Sequence, residues 1–335
     1  MKKIILPLVI LALVMVATSI AKRSGGKERA SGAQRAGTSH KDQLYVEVSA
    51  ISNLPYFFDH QEGMKLAGKV FGVRTDYVGP AEYDMPAMIT AFEQAMAKKG
   101  LKGIVVVGFE PALEPIINKA VESGIPVVTV DADLPNSKRI AFVGTGNYDA
   151  GYEGGTKLAE LIGEKGKVAL MTKVGQSNLD ERVRGYNDAL AKFKDISVVQ
   201  TVDTQSDNVI AAQVATAVLR RNPDLAGIGC VEAAGGVGAA TAVKEAGLAG
   251  KVRIVSMDRG DDVLDLIGEG VIDATVAQRT MLMPYYAVQI LYDLNNQKIP
   301  ITTDNAKAKA LAVPPYVDTG VILVDRSNYN YFKRK

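Results

Sequence analysis

One module occurs twice in this chain, and that repetition limits the folds open to it more than any other feature. Residues 103–131, GIVVVGFEPALEPIINKAVESGIPVVTVD, run as an apolar stretch, a helical pattern, a glycine and a second apolar stretch closing on aspartate. Residues 227–258, GIGCVEAAGGVGAATAVKEAGLAGKVRIVSMD, repeat that order. Alternation of apolar runs with helical patterns is the tempo of βαβ units. It predicts strands at 45–49, 72–78, 103–108, 126–131, 167–172, 197–203, 227–232 and 253–258, with helices between them. One such helix, MPAMITAFEQAMAKKG over 85–100, repeats apolar residues every three to four positions and ends at a glycine suited to a left-handed cap. A second echo strengthens the duplication: a strand gives way to SAISN and a helix through Gly63, and later KVALMT gives way to GQSN and a helix through Gly185. Two similar α/β lobes are implied.

In open parallel sheets, ligands sit beyond the carboxyl ends of the strands, where loops and helix N-termini converge. Ser49, Asp131, Glu232 and Asp258 all fall at such ends. Lobes facing one another would aim these groups into a shared cleft. Behind Ser52, Asn53 and Pro55 stand three successive aromatics, Tyr56, Phe57 and Phe58. Flat rings beside carboxylates and amides suit a small ligand with an apolar C–H face and a rim of hydroxyls. Hydrogen bonds to charged groups contribute roughly 1.5 to 3 kcal/mol each, so three or four exceed the ~8 kcal/mol of a micromolar complex before ordering costs. Two alternatives stand beside this reading. Asp131 and Asp258 could cap the turns that follow them, and the aromatics could be core packing, with Phe58 assigned there. Arg182 flanks the apolar stripe Leu179, Val183, Tyr186, Leu190 and Phe193, and a cation in a helix's first turn wants an acceptor. Contact with the ligand or a salt bridge would supply one. Gln278 closes DATVAQ as another candidate, with an ordinary loop role as its alternative.

MKK followed by IILPLVILALVMVA reads as a secretory signal cut after Ala21, and residues 22–41, rich in Gly, Ser and charge, as a flexible tether. An uncleaved anchor is the other reading of that start. The lone cysteine, Cys230, lies in an apolar run, so no disulfide forms within the chain, and without a cysteine closing the leader a lipid anchor is not expected. Lys and Arg number 39 against 37 Asp and Glu, a net charge of +2, which argues for neither nucleic acid nor a membrane surface as partner. Two histidines, His40 and His60, supply no metal cluster and no hydrolytic triad. GEKGK at 163–167 lacks the spacing of a phosphate-binding loop, and GVGAAT at 236–241 has Thr241 at the third glycine position of the dinucleotide fingerprint, where small residues also serve helix-on-sheet packing. No metal, cofactor or catalytic residue is therefore expected, and a secreted dinucleotide-dependent dehydrogenase is the enzymatic alternative that GVGAAT leaves.

Taken in order, VSAISNLPYFFDHQEGM, GIPVVTVDADLP, FVGTGNYDAG, NLDERVRGYNDAL, IVSMDRG, DATVAQ and VDTGVILVDRSN resemble the exported sugar-binding proteins of ABC importers, the type I periplasmic-binding family, in its ribose, allose, galactose and xylose branch. The likeness runs from Leu44 to about Asn328. It implies two Rossmann-like lobes with parallel sheets, an N-terminal one of 42–146 with 279–317 and a C-terminal one of 147–278 with 318–335. Three crossovers would join them, at Thr145, Gly146 and Asn147, at Gln278 and Arg279, and at Asp318, Thr319 and Gly320. Ser49, Asn53, Tyr56, Phe57 and Asp131, with Asp133 beside them, would contact the ligand from the first lobe, with Tyr56 and Phe57 sandwiching one face of the sugar. Arg182, Glu232, Asp258 and Gln278 would contact it from the second lobe and the hinge. Implied too are a monomer, hinge closure and permease subunits as partners. The chain departs from the ribose-binding pattern at Ala132 and Asp133, where an arginine is expected; at Glu232, in place of asparagine; near Ser206, which lacks an aromatic; and in an opening loop one residue longer before Asn53. Those departures point to another pentose or hexose, a polyol, or a furanosyl signal molecule read by a sensory receptor of the same fold.

Overall fold

The computed structural model describes residues 40–297 and 299–334. The expected signal peptide and all but the last two residues of the expected tether lie outside the described residues. In the first half, apolar strands alternate with helices: β1 (Leu44–Val48), α1 (Pro55–Phe71), β2 (Arg74–Val78), α2 (Met85–Met96), β3 (Leu101–Val107), α3 (Glu114–Glu122), β4 (Val127–Val130) and β5 (Ala141–Gly144). Then come α4 (Asn147–Leu161), β6 (Lys165–Thr172), α5 (Ser177–Leu190), β7 (Asp195–Asp203), α6 (Asn208–Arg221), β8 (Leu225–Cys230), α7 (Ala233–Glu245), β9 (Arg253–Met257), α8 (Asp261–Glu269) and β10 (Ala274–Gln278). The chain closes with α9 (Leu282–Asn296), β11 (Tyr316–Asp318) and β12 (Val321–Asp325).

These strands form two six-stranded sheets, ordered β11-β5-β4-β3-β1-β2 and β12-β10-β9-β8-β6-β7. Every pairing is parallel except β10 with β12. Each sheet reverses direction of growth beside its first strand, between β1 and β3 and between β6 and β8. Such switch points open a crevice at the strands' carboxyl ends. Because helices cover both faces, the inner strands are buried toward their carboxyl ends: β4 and β10 are buried throughout, β3 from Gly103 to Val107 and β6 from Val168 to Thr172. The chain moves from the first sheet to the second after β5, returns after β10, and leaves again after β11.

Local chemistry sets the helix starts and stops. Pro55 at the first helical position begins α1, and Gly72 (φ 66°) ends it with a left-handed cap whose amide bonds the Gly68 carbonyl. The helix expected over 85–100 stops at Met96 and turns through Gly100 (φ 83°) into β3. Four strands, β5, β10, β11 and β12, were not anticipated from the pattern. Beneath α1, the imidazole Nδ1 of His60 lies 2.6 Å from Glu47 Oε1, and both side chains are wholly buried. The glycines of GVGAAT are explained by packing. A Cβ on Gly236 would lie 1.8 Å from Ser256 Oγ, and one on Gly238 would lie 2.4 Å from the Ala211 methyl.

Candidate functional site

Asp131 and Asp258 follow β4 and β9 directly, and both adopt left-handed backbone, φ 66° and 68°. For non-glycine residues that conformation is uncommon and costs about 1 kcal/mol or more, so it persists where surroundings enforce it. Here the enforcement is duplicated: the Asp131 amide donates to the Val143 carbonyl and the Asp258 amide to that of Val276, each on the neighbouring strand. Neither carboxylate caps a turn. The Tyr56 hydroxyl donates to Asp131 Oδ1 at 2.6 Å, and Gln278 Nε2 donates to Asp258 Oδ1 at 2.7 Å.

Between the lobes lies a cavity of about 390 Å³, within the roughly 300–1,000 Å³ of small-molecule clefts. Tyr56 and Asp59 wall it from the first lobe, Glu232, Asp258 and Arg259 from the second, and Gln278 and Thr280 from the crossover region. Burial raises the Asp258 carboxyl above its usual range; the Arg182 charge and the Gln278 amide act against that rise, and Asp131 adds to it. Burial pushes the Tyr56 phenol well up as well, reinforced by Asp131 and Asp258. The carboxylates of the two modules thus stand close enough to act on one another across the cleft.

Gln278 is the node of the back wall. Its Oε1 accepts from Thr145 Oγ1 at 2.8 Å and from Arg182 Nη2 at 3.1 Å, while its amide holds Asp258. The Arg182 side chain is buried and fully engaged: Nε donates to Asn147 Oδ1 at 2.8 Å and Nη1 to the Val231 carbonyl at 3.0 Å. Arg182 does not line the cavity but wires the residues that do. At the other crossovers, Asp318 Oδ1 accepts from the amides of Gly146 (2.7 Å) and Gly320 (2.8 Å), and Thr319 Oγ1 donates to the Gly144 carbonyl at 3.0 Å. Arg279 is exposed beside them.

Several expected contacts are placed otherwise. Phe57, expected on the ligand, is 1 % exposed in the core of the first lobe, edge-on to Tyr56, His60 and Phe109. Phe58, expected in that core, is 42 % exposed. Asn53 is exposed on the opening loop and does not line the cavity. Asp133 is held by Arg139, whose Nη2 lies 2.5 Å from Oδ2, and by the Thr129 hydroxyl at 2.8 Å. Ser49 is buried, its hydroxyl donating to the Ile51 carbonyl at 3.2 Å. Glu232 reaches the cavity but is committed to capping α7: it accepts from the Ala234 and Gly235 amides at 2.9 Å and from Thr204 Oγ1 at 2.7 Å. Burial raises its pKa against those three bonds. Asp59, Arg259, Thr280 and Arg334 were not singled out from the sequence. For Asp59 a signal existed, since it follows Tyr56 by three residues and shares its helix face.

Residues 47–298 match the periplasmic binding protein domain family. The chain belongs to that family. It is similar to the D-allose-binding periplasmic protein of Escherichia coli (strain K12), 30 % identical over 272 residues that cover 78 % of this chain and 87 % of the relative. Among solved structures, an arabinose-binding protein from Geobacillus stearothermophilus is 37 % identical with a TM-score of 0.81, covering 88 % of this chain and all of that one. The sugar-binding protein of a sugar ABC transporter from Bacillus halodurans is 36 % identical with a TM-score of 0.82, covering 87 % and 100 %. Family and relatives are binding proteins, not enzymes. Among the described residues, no helix is long and apolar enough to cross a membrane, and no group of three or more His, Cys, Asp or Glu is placed to hold a metal ion.

Proposed function

We propose that this periplasmic binding protein is an exported receptor that captures one small carbohydrate between its lobes and presents the closed form to the permease of an ABC importer. The carrying observation is the interlobe cavity, in which Tyr56 of one module faces Asp258 and Gln278 of the other. A phenol ring offers an apolar face to sugar C–H groups, and the carboxylate and amide accept from and donate to hydroxyls. Closure is driven by contacts that the ligand makes with both walls at once. Relatives named for D-allose and arabinose make an aldopentose or aldohexose the ligand class.

A thermal-shift screen across D-allose, arabinose, D-ribose, D-galactose, D-xylose and xylitol tests this reading. A ligand at about 100 times its Kd stabilises the folded state by about 2.7 kcal/mol, a rise of several degrees in Tm. No shift with any of these sugars, together with no heat on calorimetric titration, would overturn the reading.

A further inference from the structure

Closing this cleft brings one carboxylate of each lobe toward the other, Asp131 from the first and Asp258 from the second. Asp131 acts against ionisation of Asp258 across the gap, and Glu232 shares the Asp258 wall. Such repulsion favours separated lobes. The lobes are nonetheless joined away from the crossovers, and the joining contacts converge on one carboxylate. Asp59, on α1 of the first lobe, accepts from Arg259 Nη2 of the second lobe at 2.5 Å, with Arg334 Nη2 3.5 Å away, and is held within its own lobe by Thr280 Oγ1 at 2.7 Å. Arg259 in turn donates through Nη1 to the Phe332 carbonyl at 2.9 Å, which fixes it to the last segment of the second lobe. The Asp59 side chain is 8 % exposed and that of Arg259 22 %, so this bridge is shielded from solvent far more than a surface pair. Among the described residues, no other hydrogen bond or ion pair links the two lobes outside the crossovers.

We propose that Asp59 and Arg259 are a positioning pair: bridging the cleft, they hold the lobes together before the ligand arrives and set the fraction of molecules in the capture-competent arrangement. Apparent affinity scales with that fraction, so the pair tunes affinity through the shape of the empty protein. The proposal rests on capture in the interlobe cleft but not on which sugar is captured. Both residues also wall the cavity. Loss of binding alone would therefore not separate ligand contact from lobe joining, whereas the shape of the ligand-free protein does.

Small-angle X-ray scattering of the ligand-free protein is the test, on the parent, D59N, R259Q and the double variant, with each fold checked by its circular-dichroism melt. Each single variant is expected to expand the radius of gyration, and the double variant to expand it no further than the larger single effect, because both remove one bridge. R259Q leaves Asp59 hydrogen-bonded to Thr280 and 3.5 Å from Arg334, so its expansion is expected to be the smaller of the two, and it decides the matter if D59N fails to fold. Scattering curves identical to the parent, or expansions that add, would overturn the proposal. Titration with D-allose and with arabinose then separates the two readings. The pair predicts about tenfold weaker binding of whichever sugar the parent takes. A parent that takes none of the six compounds of the thermal-shift screen sinks the carbohydrate reading while the scattering result still decides the bridge.

Discussion

Asp258 carries opposite consequences for binding and stability. Its folded-state pKa lies above the unfolded value because of burial, so the folded protein holds that proton more tightly. Stability from this group therefore falls as pH rises between the two values, and the ionised carboxylate destabilises the empty protein at neutral pH. Asp258→Asn is expected to raise the ligand-free Tm at neutral pH, with the gain vanishing in acid below both values, and to weaken sugar binding about tenfold or more. Calorimetry at two pH values and a binding titration check both halves. Arg182→Ala is expected to behave differently. It leaves the Val231 carbonyl buried without its donor and frees Gln278 and Asn147, at a cost of about 3 kcal/mol in urea unfolding with lost binding as a secondary effect. The two aspartates were legible because the repeat places them at equivalent strand ends. The sequence expectation had Phe57 and Phe58 the wrong way round, although helix phase carried the signal: Met64, 2 % exposed, lies two turns beyond Phe57, whereas Lys65 follows Phe58. The commitments of Asp133 to Arg139 and of Glu232 to a helix cap were not legible, because both depend on what lies opposite in space.

At the scale of elements, α4 and α5 meet backbone to backbone. A Cβ on Gly185 would lie 2.1 Å from the Tyr148 carbonyl oxygen, and one on Gly151 would lie 1.9 Å from that of Arg182. Gly185→Ala is expected to cost about 3 kcal/mol by overpacking, measured as a lower urea midpoint, and to weaken binding by moving the helix that carries Arg182. The eight anticipated strands are present with ends within a few residues, since each lies in an apolar run long enough to read. Of the other four, β5 has four residues, and β10 and β12 have five each, as many as β1. β11 has three residues, and its ladder exists because β5 offers an open edge beside it. β12 pairs antiparallel with β10. Their pairing is non-local, so no periodicity within them announces it.

For the molecule as a whole, two crossovers share one carboxylate at Asp318. Asp318→Ala is expected to lower stability by about 1–2 kcal/mol and to speed amide exchange at Gly146 and Gly320, which lose their acceptor, while Tyr56 and Asp258 stay in place. Unchanged exchange at both glycines would show that the crossovers are tied elsewhere. By itself, the sequence determined the α/β class, the duplication into two lobes, and the two aspartates at equivalent strand ends, of which Asp258 walls the cavity. Each of those is encoded in local periodicity and in a repeat along the chain. Only tertiary structure decided that Asp59 meets Arg259 across 200 residues, that Arg182 serves as scaffold and not as wall, and which aromatic faces the cavity. Those outcomes depend on which surfaces come together in space, and side chains that meet only after two lobes dock leave no pattern along either strand or helix.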